Sequence, residues 1–245
     1  PIRMILRLGG GDLNALFGIA GFAGGIGVGT IFLKKGYSLQ RTYALSKLES
    51  AMMPAIQVGL LVLVVTAPAF ILFSQKGPGA MHAPWLISLA AGLVVGGLSQ
   101  FSRLCTVGGF RDLFLFKKSI LIFGYLAVLI GVFVVNISFG NFHLGFENQP
   151  IAHTDGLWNF LGMALAGFCS VLLGGCPLRQ LIMTGEGNSD SAVTVLGLAA
   201  GAAFAHNFGL AASGAGPTLN GEIAVGVGFV VAFIIAVLNT KRSNA

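Results

Sequence analysis

Charge is what this chain has least of. Of 245 residues, 8 are acidic and 14 are lysine or arginine, so 9% are charged, where a soluble globular domain carries about 25%. That scarcity excludes a water-soluble fold with a charged shell. A nucleic-acid binder is excluded too, because the net charge of +6 forms no basic stripe with interleaved aromatics. Cysteine is also scarce. There are three, an odd count, all at or near the ends of apolar runs, which argues against a disulfide framework. His82, His143 and His153 stand in loops without metal-ligand spacing, and nothing in the sequence asks for a cofactor. Ser213-Gly214 near His206 lacks the Gly-x-Ser-Gly setting of a membrane serine protease.

What the chain has in excess is apolar length. Hydrophobic residues make up 55% and the mean hydropathy is +0.87, the composition of an integral membrane protein. A membrane-spanning helix needs about 20 mostly apolar residues. Seven windows could supply one: Ala15–Leu33, Pro54–Phe73, Trp85–Phe101, Ile120–Ile137, Leu157–Leu173, Ala192–Ala212 and Ile223–Asn239. None contains Lys, Arg, Asp or Glu, and the short alternating segments of a β-barrel are missing. The expected fold is all-α, with about seven transmembrane helices plus short re-entrant or broken helices.

Orientation follows from lysine and arginine. The loops 34–53, 103–118 and 176–191, with Lys241 and Arg242 in the tail, hold eleven of the fourteen, whereas Arg3, Arg7 and Lys76 fall on the other side. The C-terminus is expected in the cytoplasm and Pro1 outside. Pro1–Asp12 is short, basic and followed by a full-length span, which is not the pattern of a cleavable signal peptide.

The chain also repeats itself. Pro1-Ile2-Arg3 through Gly9 and Gly11 matches Pro177-Leu178-Arg179 through Gly185 and Gly187 at an offset of 176, and Gly21 and Gly25 map onto Gly197 and Gly201 at the same offset. Five spans lie between the copies, so the copies face opposite sides of the membrane. This is the inverted repeat common in secondary transporters. It predicts residues 1–80 as the remainder of a first half and 81–245 as the second, with the partner of Cys176 expected just before Pro1. A spacing of about 70 residues linking Gly36–Arg41, Cys105 and Cys176 carries no comparable agreement.

Two cysteine motifs carry the chemistry. Ser102-Arg103-Leu104-Cys105-Thr106-Val107-Gly108-Gly109-Phe110-Arg111-Asp112 and Gly174-Gly175-Cys176-Pro177-Leu178-Arg179 each place a thiol beside glycine and arginine at the end of an apolar run. Glycine there can break a helix and expose N–H groups to an anion, and Pro177 cannot continue a helix interior. Arg103 and Arg111 flank Cys105, a setting that lowers a thiol pKa. Arg111 with Asp112, and Arg179 with Glu186 or Asp190, read either as structural ion pairs or as the rim of an anion route. Cys169, seven residues before Cys176, would share a helical face with it but reads as packing. Gly21-x-x-x-Gly25-x-x-x-Gly29, Gly92-x-x-x-Gly96 and Gly197-x-x-x-Gly201 read as helix-packing stripes. His206-Asn207, deep in an apolar window, is expected to face the bundle interior or a pathway.

These motifs, with Gly185-Glu186-Gly187-Asn188 through Gly197 and Ala205-His206-Asn207-Phe208-Gly209-Leu210, resemble the YeeE/YedE family, in particular its YedE-like selenium-transporter branch. The resemblance covers essentially the whole chain. It implies a multi-pass inner-membrane protein built from inverted halves, and, from the thiosulfate-importing branch, a central route where cysteines pass a sulfur anion along by thiol hydrogen bonds. Cys105 and Cys176 match that route, and Pro1–Asn14 looks like a first Cys-Pro-Leu-Arg element without its cysteine. The expected activity is import of a small selenium- or sulfur-containing anion. The expected binding set is Cys105, Cys176, Arg103, Arg111, Gly108, Gly109, Gly175, Pro177, Arg179, Glu186, Asn188, His206 and Asn207, with a cytoplasmic sulfur or selenium carrier protein as receiving partner. Two rivals stay open: a membrane thiol enzyme or sulfur carrier with Cys176 as nucleophile, and a structural subunit that recruits a cytoplasmic partner.

Overall fold

The computed structural model describes residues 2–39, 46–68, 83–149 and 153–240. Arg41, Lys76, His82, Lys241, Arg242, the end of the window 54–73 and the boundary at 80–81 lie outside them. Ten helices run in order: α1 Ile2–Gly9, α2 Asn14–Lys34, α3 Lys47–Thr66, α4 Trp85–Ser102, α5 Thr106–Phe116, α6 Ile120–Ser138, α7 Gly156–Leu172, α8 Pro177–Gly185, α9 Ser189–Asn207 and α10 Leu219–Leu238. A long helix overlaps each of the seven apolar windows, and the fold is all-α. Among the described residues, five segments are long and apolar enough to cross a bilayer: Asn14–Lys34, Trp85–Phe116, Ile120–Ser138, Gly156–Gly185 and Leu219–Leu238. Two of them join a long helix to the short helix that follows, α4 to α5 and α7 to α8. α9 opens on Ser-Asp-Ser and is rich in alanine and glycine, so it is less apolar than these.

The chain forms two compact units. The first holds residues 1–41, 105–177 and 198–245, and its axis is the pair α2 and α7. Glycine makes that pair close. A Cβ on Gly21 would collide with the Phe160 carbonyl, one on Gly25 with the Ala164 carbonyl, and one on Gly167 with the Phe22 carbonyl. Lower down, a Cβ on Gly29 would come within 2.7 Å of the Val171 side chain. Around this axis α1 lies on α2 and α6, α5 on α2, α6 and α7, and α10 on α7. Phe22 and Ile26 are fully buried, and Phe22 meets Phe110 edge to face with ring centres 6.3 Å apart. At the other end Tyr37, Phe168, Leu172, Ala232 and Ala236 form one cluster. There Tyr37 pairs with Thr240 and the Ser38 N–H donates to the Asn239 carbonyl at 3.2 Å. The segment after α2 and the end of α10 are thus tied together. Cys169 packs on this cluster.

The second unit holds residues 42–104 and 178–197. Its polar joint is Gln100 of α4, whose carbonyl oxygen accepts from Arg179 at 2.9 Å and whose amide donates to Glu186.

Helix order also recurs along the chain. α1 and α2 are a short helix, a brief link and a long helix, and α8 and α9 repeat that order close to the 176-residue offset.

The glycine stripes are not equivalent. No described atom lies within 4 Å of a Cβ built on Gly92, Gly96, Gly197 or Gly201, so among the described residues the stripe on α2 is the one of the three expected packing stripes that is in use. Gly25→Ala is therefore expected to lose about 2–3 kcal/mol of stability. Gly96→Ala, freed of a helix-interior glycine, should gain about 0.5–1 kcal/mol. Thermal unfolding midpoints of the detergent-solubilised variants check both signs.

Candidate functional site

Both motif cysteines stand immediately before a short helix. Cys105 is extended (φ −143°, ψ 114°) and precedes Thr106, the first residue of α5. Its Sγ accepts from the Gly108 N–H at 3.3 Å, the bond by which an N-cap side chain satisfies an orphan donor of the first turn. The same task falls to Asp155 in α7 and to Thr218 in α10, where oxygen accepts at 3.1 and 3.0 Å. Cys176, 1% exposed, precedes Pro177, which opens α8 where a missing N–H costs nothing.

α7 stops before Cys176 for a local reason. Gly174 adopts φ +82°, and the N–H groups of Gly174 and Gly175 turn back to the Val171 and Ser170 carbonyls, each at 3.1 Å. This is the left-handed glycine closure of a helix C-terminus. The break carries Cys176 off the helix that holds Cys169, so the seven-residue spacing does not put the two on one face. The N–H of Gly175 is spent on this closure and that of Gly109 on the Cys105 carbonyl at 2.9 Å. Gly108 and Gly109 also let α5 lie against α6, since a Cβ on either would press on Leu121 or Ile122 at 3.3 Å.

The two helix starts converge. The Cys105 and Cys176 thiols are within hydrogen-bonding reach, and the Cys176 N–H also points at the Cys105 sulfur. Neither thiol is in a disulfide. Beside them lie two hydroxyls that the motifs did not flag. Thr106 and Tyr125 are 1% and 6% exposed, neighbour one another, and sit within electrostatic reach of the thiols in the case of Tyr125. Neither hydroxyl has a well-formed hydrogen bond among the described residues, a condition buried polar groups rarely tolerate without a role. A signal for Tyr125 existed: it is one of three tyrosines in the chain and falls inside an otherwise apolar run, Ile120–Ile137. The same hydroxyls edge an apolar cavity of about 220 Å³ whose wall includes Met4, Phe22, Phe110 and Met163.

The remaining expected residues are placed as follows. Arg111 pairs with its neighbour Asp112 at 2.9 Å. Arg179 and Glu186 approach to 4.0 Å and share Gln100, so both arginines sit in ion pairs. Asn188 caps α9, its Oδ1 accepting from the Ser191 N–H at 2.9 Å. Arg103 ends α4 in the left-handed conformation (φ 49°) and makes no ion pair among the described residues. His206 and Asn207 are not deep in a span. α9 ends at Asn207, both residues are exposed, and Asn207 Nδ2 donates to the Ala203 carbonyl at 2.8 Å. Apolar residues continue past the helix end, which made the window look longer than the helix.

A family model described as sulphur transport (Sulf_transp) matches residues 101–240, a stretch that begins four residues before Cys105 and contains Cys176. The chain belongs to the sulphur transport family. No curated protein and no solved structure matches it. Family and helices together describe a multi-pass membrane transporter for sulfur.

Two thiols this close can be joined. Mild oxidation of the full chain with diamide should yield an intramolecular Cys105–Cys176 disulfide, since thiols within hydrogen-bonding reach need little movement to bring their Cβ atoms to the roughly 4 Å of a bridge. Peptide mass spectrometry should show that crosslink, leave Cys169 free, and lose the product in Cys105→Ser.

Proposed function

We propose that this sulphur transporter moves a small selenium- or sulfur-containing anion, thiosulfate or a selenium compound, inward across the inner membrane, with Cys105 and Cys176 as its soft contact points. The observation that carries the reading is the convergence of two cysteine thiols at the starts of two short helices. Helix N-termini are where anions are held, because unpaired N–H groups and the helix dipole both favour negative charge. A thiol adds a polarisable, weakly hydrogen-bonding surface, which suits sulfur or selenium better than the hard oxygens of sulfate.

Cap chemistry supports the same reading. Serine, threonine, asparagine or aspartate is the usual N-cap, and sulfur is a weak acceptor, so stability alone would favour serine at position 105. Thr106 and Tyr125 supply two more donors beside the thiols, and Arg103, two residues before Cys105, contributes positive charge. The recurrence of α1–α2 in α8–α9 supports an inverted-repeat architecture, with the C-terminus and a sulfur or selenium carrier protein on the cytoplasmic side.

Uptake of labelled thiosulfate and selenite into proteoliposomes tests this. Cys176→Ala and Cys105→Ala should each cut uptake about tenfold or more, the loss of roughly 1.4 kcal/mol of binding, and labelled sulfate itself should not be taken up. Cys105→Ser retains the cap, so a defect there isolates the thiol from the fold. Unchanged uptake in both alanine variants sinks the reading.

The closeness of the thiols also favours a second reading, a membrane thiol–disulfide or persulfide carrier with Cys176 as nucleophile. A persulfide on Cys176 after incubation with a sulfur donor, seen by mass spectrometry without transport, would select it.

A further inference from the structure

Alongside α1, a cavity of about 400 Å³ is lined by Arg3, Arg7, Asp12, Asn141, His143 and Gln149 together with the apolar side chain of Leu6. Arg3 and Arg7 are one helical turn apart on α1, so their side chains share a face. Arg7 is held in place but not used up. Its Nε donates to Asp12 Oδ2 at 2.6 Å and its Nη1 meets the Met4 sulfur at 3.7 Å, while Nη2 is buried without a partner. Arg3 is exposed and makes no ion pair among the described residues. The contrast with Arg179, its counterpart at the 176-residue offset, is direct: Arg179 is engaged by Glu186 and Gln100. Two guanidinium groups face one carboxylate, so the cavity carries surplus positive charge.

The walls are fixed. Gln149 Nε2 donates to the His143 and Gly145 carbonyls at 2.7 and 3.0 Å, and Asn136 Nδ2 donates to the Val132 carbonyl at 2.9 Å. The Leu13 N–H donates to the Gly145 carbonyl at 3.0 Å and the His143 N–H to the Gly10 carbonyl at 2.9 Å, locking the 141–149 segment onto the turn after α1. Preorganised guanidinium forks recognise planar or tetrahedral oxyanions by paired N–H donors.

We propose that this cavity is an oxyanion-binding site separate from the thiols, with Arg3 and Arg7 as its ligands, that takes a tetrahedral anion such as sulfate or the head group of thiosulfate. The link to transport rests on the proposed function, in which it serves as the capture point ahead of the cysteines. The binding itself does not depend on that reading. The same chemistry would accept the phosphate of an anionic lipid.

The test uses the full chain carrying Cys105→Ser and Cys176→Ser, so that no thiol contributes, in nanodiscs of phosphatidylcholine with labelled sulfate as probe. Saturable binding is expected, with Arg3→Gln weakening it about tenfold and added salt weakening it further. The pair Arg7→Gln/Asp12→Asn removes one charge of each sign, and is expected to weaken binding while the thermal unfolding midpoint stays within reach of the parent. Replacing the lipid with phosphatidylglycerol separates the two sources. If sulfate is displaced there in an Arg3-dependent way, the oxyanion site is filled by lipid phosphate; if not, by the free ion. No saturable sulfate binding, or equal binding in Arg3→Gln, overturns the proposal. Failed uptake in the cysteine variants would leave this result untouched.

Discussion

Everything in the larger unit hangs on the backbone contact between α2 and α7. Gly21, Gly25 and Gly167 bring main-chain carbonyls to where side chains would otherwise stand, the small-residue solution to helix association where lipid offers no hydrophobic drive. Phe22 and Phe168, on the same two helices, fill the space on either side and are buried to 2% exposure. With that axis fixed, α7 can end abruptly at Leu172 and still deliver Cys176 to one place. A helix that stops within the membrane leaves carbonyls unpaired. Gly174 and Gly175 satisfy two of them locally, and the thiol site begins where that repair ends.

The cysteine site is thus a by-product of two chain breaks. At Cys105 and again at Cys176 the chain leaves one helix and starts a short one, and each start exposes N–H groups of a first turn. Putting a thiol in that position gives up cap strength for polarisability. Charge is handled differently. Arg111 and Arg179 are tied to Asp112 and Glu186, so on the proposed reading the thiol site discriminates mainly by softness, while Arg3 and Arg7 set two positive charges against the single carboxylate of Asp12.

Much of this was legible in the residues. Uncharged runs of about 17–21 residues located the seven long helices, and the glycine, proline and cysteine clusters marked where short ones begin. The role of Pro177 followed from its missing N–H alone. What stayed hidden depended on partners in three dimensions. Gly21 and Gly92 look alike in sequence, yet only Gly21 has a carbonyl opposite it. Cys169 and Cys176 have helical spacing, yet a left-handed glycine lies between them. His206 follows an apolar run that outlasts its helix. Thr106 and Tyr125 are ordinary residues until both prove buried beside the thiols and next to one another.

The two buried hydroxyls bear on how the thiols could release an anion as well as hold it. A site assembled only from fixed N–H donors would bind tightly and release slowly, which a transport route must avoid. Hydroxyls can rotate and act as donor or acceptor, and a thiol is a weak donor with no fixed geometry. A soft anion passing between Cys105 and Cys176 would exchange one weak, reorientable bond for another, so that no single position becomes a trap. Replacing Cys105 with a stronger acceptor such as aspartate would preserve the helix cap but repel the anion. Replacing it with alanine would remove the stepping stone. The thiol is the side chain that caps, stays neutral in a membrane and still interacts with sulfur.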